Sequence, residues 1–154
     1  MEILLYQPEI PQNTGNIVRT CSVTRSHLTL VKPLGFSVSN KMLKRAGLDY
    51  WNEVNIQYID NLIDYLSSSG RPFYFLSSKV TIPYTDITFT GEDILVFGSE
   101  TSGLPEELFS KWPEKFYTIP MAHNARCLNL SNSVSIVLYE ALRQDQFKSL
   151  CIPS

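Results

Sequence analysis

The sequence predicts an α/β fold, a mostly parallel sheet with helices on both faces. Two observations carry that expectation. Short apolar runs of strand length alternate along the chain with stretches that bear helix signals. One of these runs, Ile94-Leu-Val-Phe97, is apolar at every position, as a parallel strand buried on both faces requires. A length of 154 residues without repeat, linker or low-complexity segment reads as one domain, 1–154.

The elements follow in order. Strands are expected over 3–6, 28–31, 73–76, 94–97 and 116–119, with 54–59 a weaker candidate. A helix over 13–24 follows Pro8 and Pro11 and places Ile17, Cys21 and Thr24 on one face. A second, over 40–46, opens at an Asn and stops at Gly47. The third, over 60–66, has a capping Asp with Leu62, Ile63 and Leu66 behind it. The fourth, over 104–112, has Pro105 in its first turn and Glu106 and Glu107 where acids favour the helix dipole. The last starts near Ser131 or Asn132 and carries Val134, Val137, Leu138, Ala141 and Leu142, a core stripe at helical spacing. The tail after Gln144 is expected to be a loose end.

Composition excludes several classes. Hydrophobic residues make up 44% and charged residues 18%, which is not a disordered chain. No apolar run reaches the ~18 residues of a membrane span. The acid-bearing start MEILLYQPEI lacks a basic segment and a cleavage site, so it reads as a first strand rather than a secretory signal. Cys21, Cys127 and Cys151 are odd in number and form no CxxC, which points to a reducing, cytoplasmic setting. With only His27 and His123 beside them, no metal site is expected. The formal charge is −2, but residues 10–48 hold six bases (Arg19, Arg25, Lys32, Lys41, Lys44 and Arg45) and no acid, a candidate anion-binding face.

In open α/β sheets ligands sit beyond the carboxyl ends of strands, and three loops there carry chemistry. Pro8-Glu-Ile-Pro-Gln-Asn-Thr-Gly-Asn-Ile-Val-Arg19 is stiffened by prolines and offers the Asn13 and Asn16 amides, with Arg19 on the Asn16 face of the helix. Phe97-Gly-Ser-Glu-Thr-Ser-Gly-Leu-Pro105 leaves a buried strand with two glycines, a shape that presents backbone N–H groups to a nucleotide-like ligand. The loop over 119–133 is long and polar at its centre, which marks a functional loop. On these features alone a nucleotide-binding oxidoreductase remains open.

The three loops, in this order, resemble the three motifs of the SPOUT superfamily of RNA methyltransferases. The strings that carry the likeness are PEIPQNTGNIVRTC (8–21), PLGF (33–36), RAGLDYW (45–51), FGSETSGLP (97–105), IPM (119–121) and LNLSNSVSIVLYEALRQ (128–144). They are most similar to its small bacterial branch, the tRNA wobble-nucleotide 2′-O-ribose methyltransferases. The resemblance implies S-adenosylmethionine as cofactor, a tRNA substrate, a homodimer, no membrane and no DNA, and a C-terminal deep trefoil knot. It implies catalytic roles for Arg19, Asn13, Glu100 and Asn129, and a cofactor pocket lined by Leu76, Gly98, Ile119, Cys127 and Leu128. Two departures stand out. Cys127 replaces a serine of the family pattern, which keeps open a relative that holds RNA without cofactor. Arg25-Ser26 stands where relatives have a glycine and a hydrophobe.

The residues suit methyl transfer from a sulfonium to an alcohol. An arginine, with a pKa above 12, is better placed to stabilise a developing alkoxide or hold a phosphate than to act as a base. A 2′-OH acceptor means RNA, because DNA lacks it. Lys41, Lys44 and Arg45, expected on one short helix, are the candidate phosphate grips. Nothing in the sequence sets a carboxylate beside His123, which receives no role.

Overall fold

A computed structural model describes residues 1–37 and 53–151 of the chain. The helix expected over 40–46, and with it Lys41, Lys44 and Arg45, lies outside the described residues. Within them the order is β1 (Glu2–Tyr6), α1 (Pro11–Thr24), β2 (His27–Val31), β3 (Ile56–Ile59), α2 (Leu62–Ser69), β4 (Phe73–Leu76), β5 (Ile94–Phe97), α3 (Glu106–Lys111), β6 (Phe116–Tyr117) and α4 (Leu130–Gln144).

The strands form one sheet in the order β3-β2-β1-β5-β4-β6, with every neighbouring pair parallel. Side chains alternate between its faces, as the pleat dictates. Ile3, Leu5, Leu28, Leu30, Leu95 and Phe97 point to one face, where they meet Ile17, Val18 and Cys21 of α1 and Val134, Val137, Leu138 and Ala141 of α4. Leu4, Val31, Phe73, Phe75, Ile94 and Val96 point to the other, against Leu62 and Leu66 of α2 and Leu108 of α3. Helices therefore cover both faces, and the stripes expected on α1 and α4 are the buried ones. Burying each such Leu, Ile or Val side chain contributes ~1.5–3 kcal/mol.

Several boundaries differ from the sequence reading, each for a local reason. β6 ends at Tyr117 rather than 119, because Thr118 turns its N–H to the Ile82 carbonyl at 2.8 Å. The cap of α2 is Asn61, whose side chain accepts from the Asp64 N–H, while Asp60 pairs with Lys32. Pro105 precedes α3 as its cap rather than lying in its first turn. α4 starts one residue earlier than expected, because the Asn129 side chain caps it. The tail after Gln144 is not loose: Phe147 and Leu150 pack against the α1–α4 core, and the Gln144 amide donates to the Ile87 carbonyl at 3.0 Å.

α1 begins with Pro11, whose fixed φ suits a first turn. It ends at Arg25, held at φ 54° in the left-handed region, and the Ser26 N–H closes back on the Cys21 carbonyl at 2.9 Å. This left-handed position is one that glycine would enter without steric cost.

Candidate active site

β1 and β5 lie side by side at the sheet's centre, and the chain proceeds from them in opposite directions across the sheet. Such a switch point leaves a crevice at the carboxyl ends of the strands. A cleft of about 390 Å³ opens there. The segments after β4, β5 and β6, the start of α1 and the approach to α4 all line it.

Glu100 organises the polar side of the cleft. Its carboxylate accepts the Glu9 N–H at 2.9 Å, the Ile10 N–H at 3.1 Å and the Asn13 amide at 3.0 Å. The Asn13 carbonyl accepts the Asn129 amide at 2.9 Å. The Asn129 carbonyl in turn accepts the Ser131 N–H at 2.9 Å and its hydroxyl at 2.6 Å. One relay of short bonds thus joins all three sequence-distant loops. A carboxylate holding three donors from two segments is a clasp, with one lone-pair site of its two oxygens still open.

The loop after β5 is shaped by its glycines. Ser99 and Gly103 exchange both backbone hydrogen bonds at 3.1 Å, and Gly103 turns the chain at φ 72°. A Cβ on Gly98 would fall 2.3 Å from the Gly103 carbonyl carbon, so only glycine lets the loop close so tightly. Apolar walls come from Leu76, Phe97, Ile119, Met121 and Leu128. The Cys127 thiol is exposed in the cleft wall and donates to the Ser78 hydroxyl at 3.4 Å. The Cys21 thiol, by contrast, is pushed up to about 12 by burial and is chemically silent.

Of the residues singled out in the sequence, Asn13, Leu76, Gly98, Glu100, Ile119, Cys127, Leu128 and Asn129 meet in this cleft. Arg19 does not line it. Six residues beyond Asn13, it is turned about 120° around the helix from Asn13. There it shares an exposed stripe with Asn16 and Val23. Glu9, Thr101, Ser131 and Ser78 were not legible as site residues. The Thr101 hydroxyl lies 2.7 Å from both Glu9 carboxylate oxygens, which ties the first two loops a second time. Among the described residues no group of His, Cys, Asp and Glu could hold a metal ion, and no helix is long and apolar enough to cross a membrane.

An all-parallel sheet with a tightly looped cleft at its switch point defines an open-sheet α/β protein, a class whose ligands sit in that crevice. Comparisons with known proteins narrow this. The model of the SpoU rRNA methylase family matches residues 1–139. A tRNA (cytidine(34)-2′-O)-methyltransferase of Methylovorus glucosotrophus is 49% identical over 148 residues, covering 95% of this chain and 96% of that protein. A structure solved for insights into 2-OH methylation of C/U34 on tRNA superposes with a TM-score of 0.87 at 39% identity, covering 96% and 97% of the two chains. An AdoMet-bound rRNA methyltransferase from Sinorhizobium meliloti superposes with a TM-score of 0.80 at 26% identity, covering 92% of this chain and 55% of that one. The chain belongs to the SpoU methylase family.

Proposed function

We propose that this chain transfers a methyl group from S-adenosylmethionine to the ribose 2′-OH of the wobble nucleotide of tRNA, cytidine or modified uridine 34. The observation that carries the reading is the Glu100–Asn13–Asn129 relay, which draws the three family motifs into one cleft.

The cleft fits the cofactor. At about 390 Å³ it lies within the range of small-molecule sites. Leu76, Ile119 and Leu128 would offer apolar walls to an adenine, and the closed loop at Gly98 would supply backbone groups to hold it. Glu100 is the one carboxylate in the described lining, and three donors hold it in place. The Cys127 thiol bonds to Ser78 within the wall, so the exchange for serine leaves the cleft open and favours an enzyme over a cofactor-less RNA binder.

S-adenosylmethionine supplies the electrophilic methyl carbon. The chain's own residues orient the acceptor and handle charge. As the ribose oxygen attacks, it loses its proton to water or the adjoining phosphate, and the Arg19 guanidinium stabilises the negative charge that develops. Asn13 and Asn129, locked into the relay, fix the geometry of the cleft floor. Glu100 acts through them as a positioning residue.

The remaining features of the reading have their own supports. The chain works as one domain over 1–154 and as a homodimer: Val23 on α1 and Ile136 and Tyr139 on α4 are exposed apolar side chains, and Arg19 shares the Val23 stripe. Arg19 then completes the site at the boundary with the second copy. A C-terminal trefoil knot accords with α4 crossing back from the edge strand β6 to pack on the centre of the sheet and on α1. Three unpaired cysteines accord with a cytoplasmic setting, and Lys41, Lys44 and Arg45 supply phosphate contacts. Incubation of the purified protein with tRNA and S-adenosylmethionine, followed by nucleoside mass spectrometry, tests the reading. It predicts 2′-O-methylation at position 34. Methyl groups on a base, or none, would refute it.

A further inference from the structure

A second cleft, open and about 590 Å³, lies on the same edge of the sheet. Its described lining is Lys32, Pro33, Leu34 and Phe36 after β2, with Tyr58 at the end of β3 and Asp60 just beyond. We propose that it is a stacking subsite for an unpaired RNA base flanking the nucleotide that is methylated. The inference rests on the first cleft being an RNA 2′-O-methyltransferase site.

Place supports it first. The second cleft sits at the carboxyl ends of β2 and β3, the first at those of β5 and β4, with only the β1 loop between them. Three strand spacings separate their centres, about 14 Å.

Chemistry comes second. Tyr58 is 40% exposed although aromatic, and Phe36, Pro33 and Leu34 lie beside it in the lining. Aromatic faces at an RNA site bind unstacked bases. In the described lining the charges cancel: the Lys32 ammonium is 2.9 Å from the Asp60 carboxylate. An electrically balanced aromatic cleft fits a neutral base rather than a phosphate.

A mechanical link to the first cleft is the third support. The Gly35 N–H donates to the Pro8 carbonyl at 2.9 Å, and a Cβ on Gly35 would lie 2.8 Å from the Glu9 Cα. Glu9 gives its own N–H to Glu100. A base seated beside Phe36 would therefore lie next to the segment whose Glu9 N–H the Glu100 carboxylate holds.

The test is steady-state methylation of tRNA by Tyr58→Ala and Tyr58→Phe, with substrates carrying an abasic site on either side of the wobble nucleotide. Tyr58→Ala should raise KM for tRNA about tenfold, the effect of losing one stacked base, and leave kcat and cofactor affinity unchanged. Tyr58→Phe should behave as wild type, because the ring face is kept. One abasic substrate should raise KM for the wild type and add nothing for Tyr58→Ala, the signature of a direct contact. An unchanged KM, or an increase that adds fully to both abasic effects, overturns the subsite. If Tyr58→Ala folds poorly, Tyr58→Leu keeps apolar bulk without a ring: a raised KM supports the proposal and a wild-type KM overturns it. Conversion of a dimer to a monomer by Tyr58→Ala would assign the cleft to a second copy of the chain and overturn it as well. Should the wild type methylate no RNA, the reading of the first cleft fails. The subsite is then decided by 2-aminopurine placed beside the wobble position: fluorescence quenched by the wild type and not by Tyr58→Ala supports it, and equal fluorescence overturns it.

Discussion

The two edges of the sheet each hold a carboxylate surrounded by donors, and the two are built for different purposes. At the amino edge Glu2 is buried and receives the Thr29 hydroxyl at 2.7 Å, the Tyr65 hydroxyl at 2.8 Å and the Arg71 guanidinium. Its partners stand on regular elements or beside them, and a cation balances its charge. At the carboxyl edge Glu100 is half-buried and receives only neutral N–H groups, two of them from the backbone of a loop some ninety residues away. Glu2 locks strands that already pair. Glu100 brings together loops that no strand pairing holds, and those loops make the cleft. One network serves stability and the other geometry.

Separate mutational effects follow from that contrast. Glu2→Ala should cost about 2–3 kcal/mol in urea unfolding, because it leaves the Thr29 and Tyr65 hydroxyls without their acceptor while the partly exposed Arg71 keeps the Glu92 carbonyl. The protein that remains folded should methylate at the wild-type rate, and a parallel loss of kcat would break the division between the edges. Gly98→Ala forces a Cβ into the Gly103 backbone. It should cost about 1–3 kcal/mol and weaken S-adenosylmethionine binding in calorimetry. Glu100→Gln keeps the shape but turns an NH₂ toward donors. It should lose only about 1 kcal/mol of stability, with methyl transfer reduced on the order of tenfold. A variant that loses stability without activity would make Glu100 a second Glu2. Arg25→Gly, at the amino edge, relieves a left-handed residue. It should raise stability by about 1 kcal/mol and leave turnover unchanged.

Legibility in the sequence divides along the same line. β4 and β5 were readable to the residue because short apolar runs flanked by turn residues admit little else. The buried faces of α1 and α4 followed from helical spacing. Cleft residues such as Gly98, Ile119 and Leu128 came from motif strings. Their convergence did not, since it depends on backbone N–H groups at Glu9 and Ile10 that carry no sequence signal. The orientation of Arg19 was open to arithmetic: six residues from Asn13 is not a whole number of helical turns. The order of the packed tail was hidden because left-handed turns at Gln146 and Phe147, at φ 58° and 54°, lack the glycine that announces them.

In the proposed reaction the cofactor binds in the cleft, and charge is stabilised by a side chain that does not line it. Arg19→Ala, measured for S-adenosylmethionine affinity by calorimetry and for tRNA methylation on the same sample, tests that division most directly. Methylation should fall by about two to three orders of magnitude while affinity for the cofactor stays at the wild-type value. Loss of both in parallel would contradict it.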